Sequence, residues 1–148
     1  LAFLEILQIL AVSKENHLIA SAGYSSKILS PESKRMDRVY GYIMENYRKK
    51  ISAQEVASMV NMSESAFSHF FKKSTNRSFS NFLTETRLGE ACKLLLESQD
   101  SVSEICFQCG YANLSNFNRL FKKYRGMTPV EYRRQLRYEL PVVAERFV

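Results

Sequence analysis

Residues 114–133 read LSNFNRLFKKYRGMTPVEYR. Phe117, Leu120, Phe121 and Tyr124 recur at spacings of three and four, so a helix gathers them on one face. Ser115, Asn118, Arg119 and Lys122 then fall on its outer face. Asn113 is placed to cap this helix and Gly126 to end it. Thr128-Pro129-x-Glu131 is a capping box with proline at the first helical position. It starts a final helix over 128–138, anchored by Val130, Tyr132 and Leu136. The pattern predicts two short helices and leaves open what the cations of the first are for.

Working outward, Ser101-x-x-Glu104 is another capping box, ahead of Ile105, Cys106 and Cys109, with a turn at Gly110-Tyr111. The same plan occurs earlier in the chain. Ser52-x-x-Glu55-Val56-Ala57 matches Ser101-x-x-Glu104-Ile105-Cys106 at an offset of 49. Phe67-x-x-x-Phe71-Lys72-Lys73 matches Phe117-x-x-x-Phe121-Lys122-Lys123 at an offset of 50. Each copy is a short helix, a tight turn and a longer helix with a polar, basic face. That is the helix-turn-helix plan, whose second helix fits a DNA major groove. The copies span 52–75 and 101–125. Between them, Ser78 caps a helix over 78–98, on the order of 30 Å long at 1.5 Å per residue. That length suits two units reading segments of one DNA face about one turn, roughly 34 Å, apart.

The expected fold is therefore all-α: two helix-turn-helix subdomains joined by a long linker helix. Met36, Val39, Tyr40, Ile43, Met44 and Tyr47 predict an amphipathic helix before the first copy. Residues 21–33, SAGYSSKILSPES, have a linker composition. Phe3, Leu4, Ile6, Leu7, Ile9 and Leu10 predict a short apolar helix whose wide face needs a partner, either a preceding region or a second copy of the chain. The chain begins at Leu1, which leads to the expectation of a larger N-terminal region; residues 139–148 read as a tail.

Bulk composition fits. Hydrophobic residues make up 45% and charged residues 24% of the 148, a globular balance. Residues 1–32 carry two lysines against three glutamates, a net of −1, so the +6 of the whole leaves +7 for the rest. A basic domain calls for a polyanion, nucleic acid or an anionic membrane. No apolar run reaches about 18 residues, so no transmembrane helix is predicted. Three cysteines suit a reducing cytoplasm better than a disulfide framework. Cys106-Phe-Gln-Cys109 is a CxxC, but it has no second pair, and buried small hydrophobes account for all three cysteines. With His17 and His69 outside any catalytic pattern, no enzyme, cofactor or metal site is expected.

SESAFSHFFKK, RLGEACKLLLES and SVSEICFQCGYANLSNFNRLFKKYRGMTPVEYR resemble the DNA-binding domain of AraC/XylS-type transcriptional regulators over roughly residues 36–138. The opening LAFLEILQILAVSKENHLIASAGY resembles the helical end of a cupin-like effector domain, which in such members helps dimerisation. The resemblance implies a bacterial, cytoplasmic regulator, commonly an activator, with a small-molecule effector bound by an N-terminal domain missing here. It divides the chain into a helical tail at 1–20, a linker at 21–33 and a DNA-binding domain at 34–138. Its partners would be double-stranded DNA, RNA polymerase and, through residues 3–12, a second copy; no membrane is implied.

Carried over by position, Ser65, Ser68 and His69 on the first recognition helix would contact bases. Leu114, Ser115, Asn118 and Arg119 on the second would do the same, with Asn116 at the groove's edge. Lys72, Lys73, Lys122, Lys123 and Arg125 would meet phosphates, as would the helix N-termini at Ser52 and Ser101. Asn76 stands where the family prefers Gly, and Asn tolerates the left-handed backbone. Plainer readings stand beside these: solvated lysine pairs, and surface or capping duty for His69. The alternative function is a protein-interaction or nonspecific DNA-binding helical module.

Overall fold

The computed structural model of the protein describes residues 30–135, and every regular element among them is a helix. In chain order these are α1 (Pro31–Asn46), α2 (Ala53–Met59), α3 (Glu64–Thr75), α4 (Phe79–Glu97), α5 (Val102–Gln108) and α6 (Leu114–Arg125). A seventh, α7, occupies 129–135. The apolar stretch 3–12, most of the linker span, the end of the final helix and the tail lie outside the described residues.

Two compact units divide the chain, Leu1–Asp37 and Arg38–Val148. Of the first, only the cap and opening turns of α1 are described. That helix starts at Pro31, three residues inside the span read as linker. Ser30 is the cause: its Oγ accepts from the Ser33 backbone N–H at 3.1 Å, and its carbonyl accepts from the Ser33 hydroxyl at 2.8 Å. Ser-Pro-Glu-Ser is thus a helix start, with proline where it costs no hydrogen bond.

The second unit is a tandem of two similar cores. In each, a capping box opens the first short helix. The Glu55 N–H donates to Ser52 Oγ at 3.1 Å and the Glu104 N–H to Ser101 Oγ at 3.2 Å. The returning carboxylates accept from the Ser52 and Ser101 N–H groups. The Thr128–Glu131 box forms likewise. Hydrogen bonds from Ser101 hold the Glu104 carboxyl below its ordinary pKa, and those from Thr128 do the same for Glu131. Loss of the N-cap hydroxyl in Ser101→Ala should cost about 1 kcal/mol, read from urea unfolding. An unchanged midpoint would remove the cap from the account of why α5 forms.

The repeat continues into the aromatic packing. Phe67 and Phe71 lie 5.6 Å apart, Phe117 and Phe121 5.7 Å. Phe71 meets Phe82 edge-on at 5.5 Å, and Phe121 meets Tyr132 edge-on at 5.5 Å. Phe67, Phe71, Phe117 and Phe121 are fully buried, as their spacing predicts, while Phe70 is half-buried. Phe82 and Tyr132 stand at the offset of 50 as well, so α7 serves the second core as α4 serves the first.

α4 is shared between the cores. Counting about 100° per residue, its buried Phe79 and Leu83 lie about 40° apart on one face. Leu88, Ala91 and Leu95 lie roughly 120–180° round the helix from Phe79. The first pair joins the Phe67–Phe71 cluster through Phe79. The second set packs with Ile105, Cys106, Cys109, Tyr111, Phe117 and Phe121. A helix with two apolar faces at its two ends holds one helix-turn-helix unit with each.

Candidate nucleic-acid interface

Each recognition helix buries one phenylalanine pair, Phe67 and Phe71 or Phe117 and Phe121, and turns a polar surface out. On α3, capped by Ser63 and ended by Asn76 in the left-handed region (φ 58°), Ser65, Ser68, His69, Lys72 and Lys73 are exposed. On α6, capped by Asn113 and ended by Gly126 (φ 78°), Leu114, Ser115, Asn116, Arg119, Lys122, Lys123 and Arg125 are exposed. Leu114 is an exposed apolar group at the very start of that helix. Arg119 is tied back to its own helix: Nη2 donates to Asn116 Oδ1 at 2.9 Å.

Asn118 departs from the outer-face expectation. It is half-buried, and its Oδ1 is shielded and accepts no hydrogen bond. It sits at about 100° from the buried Phe117, at the flank of the helix rather than its crest. Ser52 and Ser101 are exposed, but their hydroxyls serve the capping boxes. Glu55 and Glu104 place a carboxylate at each of those helix starts, which opposes an approaching phosphate.

Arg87 and Gly110 join the two helix-turn-helix cores, a role that the sequence pattern does not reveal. Arg87 on α4 donates from Nε to the Tyr47 carbonyl and from Nη2 to the Lys49 carbonyl, both at 2.7 Å. Its guanidinium lies 5.7 Å from the centre of the Tyr111 ring, and burial pulls its pKa down. Gly110, in the turn of the second unit (φ 81°), sits directly on the Tyr47 and Arg48 backbone. Arg48 also reaches Glu90 at 3.3 Å. The second half of α1 is itself tied to the first helix-turn-helix core: Arg38 Nη2 donates to the Met59 carbonyl at 2.9 Å, Tyr42 donates to Glu55, and Tyr40 lies against Phe82. The segment 47–50 is thus a joint between the two halves. Its partners lie about 40 or more residues away in sequence, which is why spacing alone does not reveal them.

Two adjoining clefts open beside this joint. The larger, about 570 Å³, is walled by Lys50, Arg87, Arg119 and Lys123 with Ser80 and Asn81. The smaller, about 350 Å³, runs from Ser68 on α3 to Ser78, the cap of α4, and Ser80 in its first turn. They share Ile51, Ser80 and Leu83, and no Asp or Glu lines either.

Cys106 and Cys109 are fully buried, and burial pushes the Cys109 thiol up to about 12. A thiol so protonated is a poor nucleophile or metal ligand, so the CxxC is part of the core. Among the described residues no group of three metal-ligating side chains comes together, and no helix is long and apolar enough to cross a membrane.

Two helix-turn-helix units with exposed basic recognition helices, sharing one linking helix, define a DNA-binding regulator domain. A family described as a helix-turn-helix domain matches residues 56–135, more than half of the chain. The HTH-type transcriptional regulator YijO of Escherichia coli K12 is 31% identical over 90% of this chain and 47% of its own length. The xylose-binding transcription activator XylR is similar in structure (TM-score 0.60, 30% identity), over 68% of this chain and 26% of that one. The DNA-binding domain of AdpA, solved with a target DNA, shares the fold (TM-score 0.69, 24% identity) over 72% of this chain and 96% of that one. The chain belongs to the AraC/XylS-type family of transcriptional regulators. It spans about half the length of YijO. The family and its relatives are regulators of transcription, not enzymes.

Proposed function

We propose that this domain binds a specific duplex site by setting α3 and α6 into two successive major-groove segments. The observation that supports this best is the exposed polar crest on both recognition helices, with Ser68 and Arg119 opening onto adjoining, acid-free clefts. Arg119 is the strongest reader, since its two-pronged donor set matches a guanine edge. Ser65, Ser68, His69, Leu114, Ser115 and Asn116 complete the base-facing set. Asn118 joins it by swinging its carboxamide outward, which also frees an oxygen that is shielded and unpaired without DNA. Lys72, Lys73, Lys122, Lys123 and Arg125 clamp phosphates, ahead of the glutamate-shielded starts at Ser52 and Ser101.

In the whole protein, the binding would be governed by a small effector on a preceding domain, transmitted through residues 21–33. The outcome would be activation through contact with RNA polymerase, and residues 3–12 would pair two copies in the cytoplasm. The relative named as a xylose-binding activator is in keeping with effector control and activation.

Selection from random duplex DNA at one stated salt concentration tests the core of this reading. A two-part motif spaced by about one helical turn is the expected result. Binding without enrichment would favour the nonspecific alternative. Within the enriched motif, Arg119→Ala should relax one base pair by about 2 kcal/mol. Lys122→Ala should instead weaken all sequences alike and lower the salt slope by about 0.9. Equal loss of specificity in both variants would refute the division of roles.

A further inference from the structure

We propose that the paired clefts between the two units seat the DNA backbone that runs between the two base-reading segments, with Lys50 and Lys123 on its phosphates. This rests on the reading of α3 and α6 as partners on one duplex, and adds to Lys123 of α6 the contacts of Lys50, Ser80 and Asn81, which lie on neither recognition helix. On one face of B-DNA, two successive major-groove segments flank a minor groove whose phosphate edges face the protein. The surface between the recognition helices must therefore meet phosphates or stand clear of them.

The lining decides between these. The chain carries 15 acidic residues, yet none lines either cleft. Four cations line the larger one. Arg87 is committed to the Tyr47 and Lys49 carbonyls, and Arg119 leans on Asn116. Lys50 and Lys123 remain, both exposed, with the Lys123 ammonium 5.8 Å from the Tyr124 ring centre. Exposed Ser80 and Asn81 lie in the first turn of α4 and can donate to phosphate oxygens. Because the two clefts share Ile51, Ser80 and Leu83, the track is continuous from Ser68 to Arg119. That course fits a strand better than a small anion. A small anion would find both uncommitted lysines in water rather than enclosed.

The test uses the selected duplex with wild type, Lys50→Ala, Lys123→Ala and the double variant. Binding is followed by fluorescence anisotropy across salt concentrations, with phosphate-ethylation interference in parallel. Each single variant should lower the salt slope by about 0.9, and the double variant by about twice that. Interference at phosphates between the two motif halves should vanish in the double variant while base contacts at both halves persist. An enriched motif with an unchanged slope and no interference between its halves overturns the cleft contact and leaves base reading intact. No enriched motif, with slopes that still fall on bulk duplex, supports the cleft contact and sinks base reading. Saturable binding of inorganic phosphate that needs Lys50 and Lys123, with an unchanged DNA slope, assigns a small anion and overturns the proposal.

Discussion

Gly110→Ala should destabilise the domain by about 3 kcal/mol, from left-handed backbone strain of about 1–2 kcal/mol plus an overpacking cost of similar size. The residue sits at φ 81°, and a Cβ there would stand 2.6 Å from the Arg48 carbonyl oxygen, 2.8 Å from its carbon and 2.9 Å from the Tyr47 oxygen. All three are backbone atoms, so no side chain can rotate away. Gly126 is the internal control: at φ 78° it has the same strain, but nothing lies within 4 Å of its added Cβ. Gly126→Ala should therefore cost only about 1 kcal/mol. Urea unfolding of the two variants, compared at equal m-value, measures the difference. Equal losses would mean that the turn of the second unit does not press on the end of α1.

The same comparison shows why one turn demands glycine and its repeat partner does not. Asn61 stands at the offset of 49 from Gly110 and also has positive φ, 54°. It is exposed, so a side chain has room there and asparagine suffices. The sequence marks both places as turns. It does not reveal that only the second lies against another segment's carbonyls.

That contrast runs through the whole domain. Features set within one turn of helix were legible in the residues: three capping boxes, the left-handed ends at Asn76 and Gly126, and the buried Phe67–Phe71 and Phe117–Phe121 pairs. Each depends on partners three or four positions away. The start of α1 was hidden because Ser30-Pro31 serves a linker and a helix cap equally well. Asn118 is half-buried rather than exposed: an outward position on a helical count says nothing of what packs at its flank. Nothing in the spacing of Lys50, Ser80 and Arg87 marks them, since their meaning comes from segments brought together by the shared α4.

Arg87 carries the second large effect. Arg87→Ala should weaken binding to a two-part duplex on the order of 10²-fold, the gain that linked binding units lose when they no longer engage together. Its two short hydrogen bonds tie the middle of α4 to the carbonyls of Tyr47 and Lys49, in the turn that follows the first core's supporting helix α1. Without them, each helix-turn-helix core keeps its own aromatic cluster, but the angle between the recognition helices is no longer held. Binding to a duplex carrying a single half-site should therefore change little. This separates a positioning role from general loss of structure. Arg87→Lys keeps the charge but not the forked geometry, and should fall between wild type and alanine. Stability should drop by about 2 kcal/mol in the alanine variant, so binding is compared where circular dichroism shows it folded. Equal weakening on half-site and two-part duplexes would place the fault within one core. Wild-type affinity on both would show that the units find their spacing on DNA without the clamp.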